Sequence, residues 1–151
     1  MNICEATTTD LKTVMAWILD AEMCRAWAGP MVRFPLNPEG LAQDIDFKPD
    51  NSYCLVENHN ITAFGQLIRK SEKRLHMARI IVAPEKRALG VGRRWCLALM
   101  ALARQKGCHY ISLNVYRDNL AALRLYTRTG FSEDVENATP ELCYMIAHGK
   151  L

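Results

Sequence analysis

The stretch Val82-Ala83-Pro84-Glu85-Lys86-Arg87-Ala88-Leu89-Gly90-Val91-Gly92-Arg93 has the residue types and spacing to hold phosphate. The apolar run from Ala78 to Val82 reads as a buried strand, and Pro84 ends it. A loop with two glycines two apart follows. From Val91, apolar residues recur at helical spacing at Trp95, Ala98, Leu99 and Leu102. A strand that opens through such a loop into a helix presents N–H groups with no intrahelical partner. The helix dipole favours an anion there. Lys86, Arg87, Arg93 and Arg94 add positive charge beside the loop. Two nucleotide signatures are excluded. A P-loop needs Gly-Lys-Ser/Thr, but Gly92 is followed by Arg93-Arg94. The dinucleotide fingerprint needs a third glycine where Trp95 stands.

Arg87-x-x-Gly90-x-Gly92, preceded by Val82-x-Pro84, resembles the pyrophosphate loop of the GNAT superfamily of acyl-CoA-dependent N-acetyltransferases. A second block, Asn119-Leu120-Ala121-Ala122-Leu123-Arg124-Leu125-Tyr126-Thr127-Arg128-Thr129-Gly130-Phe131, is similar to that family's Asn-x-x-Ala-x-x-Leu-Tyr-x-x-x-Gly-Phe segment. Weaker likeness lies in Cys24-Arg25-Ala26-Trp27-Ala28-Gly29-Pro30 with Phe34-Pro35-Leu36, which looks like a subset of small bacterial members. The resemblance implies transfer of an acetyl group from acetyl-CoA, as cosubstrate, to a primary amine. It implies that the pantetheine arm pairs with Ile80, Ile81 and Val82, where neighbouring strands splay apart. The amide near Val82 would stabilise the oxyanion. Amides of Arg87, Ala88, Leu89, Gly90, Val91, Gly92 and Arg93 would hold the pyrophosphate. Tyr126 stands at the general-acid position, to protonate the departing thiolate. Asn119 would touch the pantetheine arm.

Each residue also has a plainer reading. Tyr126 can simply pack its helix on the sheet, and Asn119 can serve as an N-cap. Gly90 and Gly92 suit a tight strand-to-helix turn in any case, and Arg87 can be a solvated charge. His76 and Glu57 are candidate bases, with a water chain as the alternative. Trp27, Arg33 and Phe34 line an acceptor cleft with His76, or Trp27 and Phe34 pin their loop to the core. Glu22, Asp44 and Asp46 either attract a cationic amine or form a solvated face. The acceptor stays open among a small-molecule amine and a protein amine.

The elements that must position these residues follow from periodicity and punctuation. Asn2 to Ala6 reads as a first strand, and Asp10 caps or opens a helix with Leu11, Val14, Met15 and Ile18 on one face. Helices are expected over Ala21 to Ala28, Pro38 to Phe47, Gly90 to Gln105 and Asn119 to Arg128. Ser52 to Glu57 and Ile61 to Arg69 form a hairpin turned at Asn58-His59-Asn60. Arg74 to Val82, Tyr110 to Val115, Phe131 and Leu142 to His148 read as strands. Hairpins followed by a strand–helix–strand unit predict an α/β fold of the α+β type. Its central sheet is mixed and mostly antiparallel, with helices on both faces.

A chain of 151 residues is expected to form a single domain. Its net charge of +3 is too small for a nucleic-acid partner. No segment approaches the ~20 apolar residues of a membrane span, and the N-terminus lacks a signal-peptide pattern. The six cysteines show no Cys-x-x-Cys pair, which suggests reduced thiols, a cytoplasmic setting and no metal. Dimerisation is common in the resembled family and stays possible here. Two rivals to a small-amine acetylase stand beside it. One is a protein-acetylating member, either an N-terminal modifier or a toxin. The other is a non-catalytic acyl-CoA sensor, against which Tyr126 argues.

Overall fold

The computed structural model describes residues 2–148. Seven strands are β1 (Asn2–Glu5), β2 (Ser52–Glu57), β3 (Asn60–Arg69), β4 (Arg74–Val82), β5 (Tyr110–Tyr116), β6 (Ser132–Glu133) and β7 (Leu142–His148). They form a mixed sheet in the order β1-β2-β3-β4-β5-β7-β6. The α-helices among the described residues are α1 (Thr8–Met15), α2 (Ala21–Ala28), α3 (Pro38–Asp44), α4 (Val91–Gln105) and α5 (Leu120–Arg128). The chain divides into two compact units, Met1–Gln66 with Arg79–Val91 and Leu67–Ala78 with Gly92–Leu151.

In the first unit β1, β2 and β3 pair antiparallel, with Ile3 opposite Leu55 and Cys54 opposite Phe64. The β2–β3 hairpin turns on Asn58 and His59, at φ 49° and 67°, the left-handed pair that a two-residue turn requires. Asn60, expected in the turn, already opens β3. Helix α1 begins one turn earlier than its sequence suggests. Thr7 is the N-cap, and Asp10 is the third helical residue, closing a capping box by accepting from Thr7 N–H at 2.8 Å. The helix stops at Met15, so Ile18 reaches the core from beyond it. Asp20 caps α2, and Gly29 ends it at φ 85°. Asn37 caps α3, which ends at Asp44 and not at Phe47, because Asp46 turns left-handed at φ 51°. Leu11, Val14, Ile18, Cys24, Leu41 and Ile45 bury against Cys54, Phe64, Ile81 and Ala83. Burial on that scale, about 25 cal/mol per Å² of apolar surface, outweighs any single cap.

In the second unit β4 runs parallel to β5, with Arg74 opposite Tyr110 and His76 opposite Ser112. That register ends at His76, although β5 continues to Tyr116 and pairs along its length with β7. Helix α4 buries Trp95, Cys96, Leu99, Met100 and Ala103. This face is rotated from the expected one, leaving Ala98 and Leu102 only half-buried. Phe131 is buried but lies just before β6, which begins at Ser132.

Candidate active site

The first unit carries the end of β4 and the loop after it. Ile80 and Val82 are half-buried there, and Ile81 is buried. The buried strand expected from Ala78 to Val82 is thus buried on one face only, as β-alternation dictates. Ala83 N–H bonds the Thr62 carbonyl at 2.8 Å, and a 3-10 turn spans Pro84–Lys86. Beyond it the exposed loop contains two left-handed residues, Ala88 at φ 61° and Gly90 at φ 79°. Arg87, just before them, is extended, so the chain reverses direction sharply at these two positions. A Cβ at Gly90 would meet nothing within 4 Å. Glycine serves there through its backbone freedom and not through lack of space. Gly92 is the second residue of α4, within the helix expected from Gly90. The first turn of that helix carries no acid, so nothing offsets the positive end of its dipole. Arg87 directs Nε to the Val82 carbonyl at 3.1 Å. It braces the loop against β4, a role its sequence position did not suggest.

The first unit also holds three of the expected acceptor-side residues. Trp27 packs on Phe64 with ring centroids 6.3 Å apart and donates Nε1–H to the Arg79 carbonyl at 2.9 Å. Arg33 is committed to Asp44 in a two-pronged pair, Nε to Oδ2 at 3.0 Å and Nη2 to Oδ1 at 2.9 Å. The hydrogen bonds from Arg33 hold the Asp44 carboxyl below its ordinary range. Arg33 and Asp44 thus staple a loop, while Phe34 stays exposed. Glu57 lines a polar cavity of about 500 Å³ with Asp10, His59, Glu85 and Lys86.

Arg79 lies within the run from Ala78 to Val82 that reads as a buried strand. It sits inside β4 at φ 53°, and its Nη1 donates to Gln66 Oε1 at 2.7 Å. A charged residue inside an otherwise apolar strand was the available signal.

The second unit carries Tyr126, Asn119 and His76. Asn119 caps α5, accepting from Ala122 N–H at 3.3 Å. Tyr126 is buried, and its ring meets Phe131 edge-on at 5.9 Å. Burial, and secondarily the Cys96 thiol, pushes the Tyr126 phenol well above its ordinary range. It stays protonated at every physiological pH, the state a proton donor needs. His76 Nδ1 lies 2.8 Å from the Ser112 hydroxyl, and its ring stacks on Tyr144 at 6.5 Å. Tyr144 also hydrogen-bonds Arg74. His76 thus belongs to a ladder across β4, β5 and β7. Among the described residues no group of three or more His, Cys, Asp or Glu is placed to hold a metal ion.

The fold is shared with solved acetyltransferases. The chain superposes on the ribosomal-protein-S18-alanine N-acetyltransferase from Escherichia coli with a TM-score of 0.75 at 22% identity, covering 99% of this chain and 94% of that one. Spermidine N-acetyltransferase from Vibrio cholerae, solved with CoA and spermine, gives a TM-score of 0.79 at 17% identity, covering 98% and 95%. The PaiA N-acetyltransferase from Thermoplasma acidophilum, in complex with coenzyme A, gives 0.77 at 17% identity, covering 97% and 98%. The sequence model of the acetyltransferase (GNAT) family matches residues 20–131. That match spans the loop after β4 and the whole of α5 through Phe131, and by it the chain belongs to the acetyltransferase (GNAT) family.

Proposed function

We propose that this chain, acting as one domain, moves the acetyl group of acetyl-CoA to a primary amine. The observation that carries the reading is the exposed loop with left-handed Ala88 and Gly90 leading into an acid-free helix start. Complexes of family relatives with CoA support the choice of donor. The amides from Arg87 to Arg93 take the pyrophosphate, and Ile80, Ile81 and Val82 offer backbone groups to the pantetheine arm. Asn119 adds a polar contact to that arm.

The acceptor nitrogen attacks the thioester carbonyl carbon, and the Val82 amide stabilises the oxygen as it gains charge. A C–N bond forms and the C–S bond breaks. Tyr126 gives its phenolic proton to the departing thiolate and regains one from solvent. The amine proton leaves to water or to His76. The buried free thiols suit a reducing, cytoplasmic setting.

Calorimetry with acetyl-CoA, followed by thiol release in the presence of mixed amines, tests the reading. Saturable binding and amine-dependent CoA release are expected. Absence of binding at millimolar acetyl-CoA would overturn it.

A further inference from the structure

The Arg79 guanidinium is a partly buried cation with no ion-paired carboxylate among the described residues. Its Nη1 reaches Gln66 Oε1 at 2.7 Å, one of five N–H donors that a guanidinium carries. Its Nε is buried with no hydrogen-bond partner among the described residues. No carboxylate lies within ion-pair distance of it among those residues. Asp46 exerts some attraction from further away, but its carboxylate pairs with Lys48 Nζ at 3.5 Å. Burial draws the Arg79 pKa below its ordinary range, the sign of a charge short of compensation.

The surroundings hold the guanidinium in place. Gln66 is fully buried, and its Nε2 donates to the Ile45 carbonyl and the Ser52 hydroxyl, each at 3.0 Å. Only the amide oxygen of Gln66 is left to face Arg79. Trp27 grips the Arg79 carbonyl, fixing the backbone at its left-handed kink. A buried charge without an ionic partner is costly. A fixed scaffold around such a charge points to a ligand that completes it.

Resting on the acyltransferase reading, the position on β4 says which ligand. Arg79 immediately precedes Ile80–Val82, the segment given to the acyl arm. The donor's phosphates belong to the loop from Arg87 onward, so the anion facing Arg79 comes from the acceptor. Of the three acids that could have drawn a polycation, Glu22, Asp44 and Asp46, the last two pair with Arg33 and Lys48. We propose that Arg79 is a specificity-determining residue that binds a carboxylate on the acceptor, so that the substrate is an amine bearing a carboxylate and not a polyamine.

Rates with acetyl-CoA and paired acceptors test this. The pairs are an α-amino acid and its amide, and a C-terminally amidated dipeptide with an acidic first residue and its neutral counterpart, with spermidine alongside. The carboxylate-bearing member should show a kcat/KM about 10- to 100-fold higher, the range that a charge-assisted pair supplies. The first pair tests a small-molecule source of the carboxylate, and the second a peptide source. Arg79→Gln should raise acceptor KM by a similar factor with little change in kcat. It should leave acetyl-CoA affinity unchanged by calorimetry. Arg79→Lys should recover part of the loss. Preference for spermidine, or an unchanged acceptor KM in Arg79→Gln, overturns the assignment while acyl transfer stands. Failure of the wild type to bind acetyl-CoA overturns the acyltransferase reading itself, and the assignment with it.

Discussion

Phe131 N–H bonds the Tyr126 carbonyl at 3.0 Å, and the two rings meet edge to face at 5.9 Å. With Gly130 N–H on the Thr127 carbonyl at 3.2 Å, this closes α5 as a Schellman motif with its apolar contact. The Leu-Tyr-x-x-x-Gly-Phe pattern is thus a helix stop as well as the segment that resembles the family's. The tyrosine ring belongs to the stop, and its hydroxyl is the part the proposed mechanism uses.

Tyr126→Phe separates those two roles. The ring contact survives, so the variant should fold and bind acetyl-CoA as the wild type does. Turnover should fall by about 10²-fold or more, the scale of general-acid catalysis. Steady-state rates beside calorimetry check it, and equal turnover would remove the hydroxyl from the mechanism.

Gly130→Ala tests the stop itself. The residue sits at φ 111°, and a Cβ would meet nothing within 4 Å. The whole cost is therefore backbone strain, about 1–2 kcal/mol. For a chain of this size that lowers the melting temperature by roughly 2–8 °C. An unchanged melting curve would mean that the helix end relaxes without the left-handed turn.

Gly92→Glu places a carboxylate in the first turn of α4, where the helix dipole favours it. The free protein should keep its stability. Acetyl-CoA affinity should drop by more than about 100-fold, near 2.7 kcal/mol, as the new charge repels phosphate. Calorimetry on the folded variant decides the matter.

Thiol chemistry follows burial. Cys4 is exposed, whereas Cys24, Cys54, Cys96, Cys108 and Cys143 are buried. A chromogenic disulfide should titrate one thiol quickly in the native protein and all six after unfolding.

Stability should fall in alkali. Burial pushes the Cys54 thiol up to about 12 and Cys96 up to about 11, from an ordinary 9.0. The folded state therefore holds these protons more tightly than the unfolded chain. Their contribution is fully present below pH 9.0 and is lost as pH rises through 11 and 12. Within that window each thiol removes about 1.4 kcal/mol per pH unit. Urea midpoints below pH 9.0 and near pH 11 should differ accordingly.

Most element positions were legible because their signals are local. The span of α2 could be read from Ala21 to Gly29, and that of β4 from Arg74 to Pro84. The misses lay where tertiary partners decide. Asp10 looked like a helix opener because the capping box puts an acid three residues inside. The end of α3 depended on a left-handed Asp46, which sequence periodicity does not mark. Arg33 reads from the sequence as a cleft-lining residue, whereas Asp44, eleven residues away, holds it. Arg79 was absorbed into an apolar run, because nothing in sequence brings Gln66 and Trp27 to it.

Ala88 stands at φ 61° although it is not a glycine. A left-handed alanine costs about 1–2 kcal/mol in the free protein, yet it restricts the unfolded chain more than glycine would. The rest of the loop, with Arg87 anchored on the Val82 carbonyl, therefore holds the turn against that strain. A glycine at that position would adopt the same turn without the Cβ penalty.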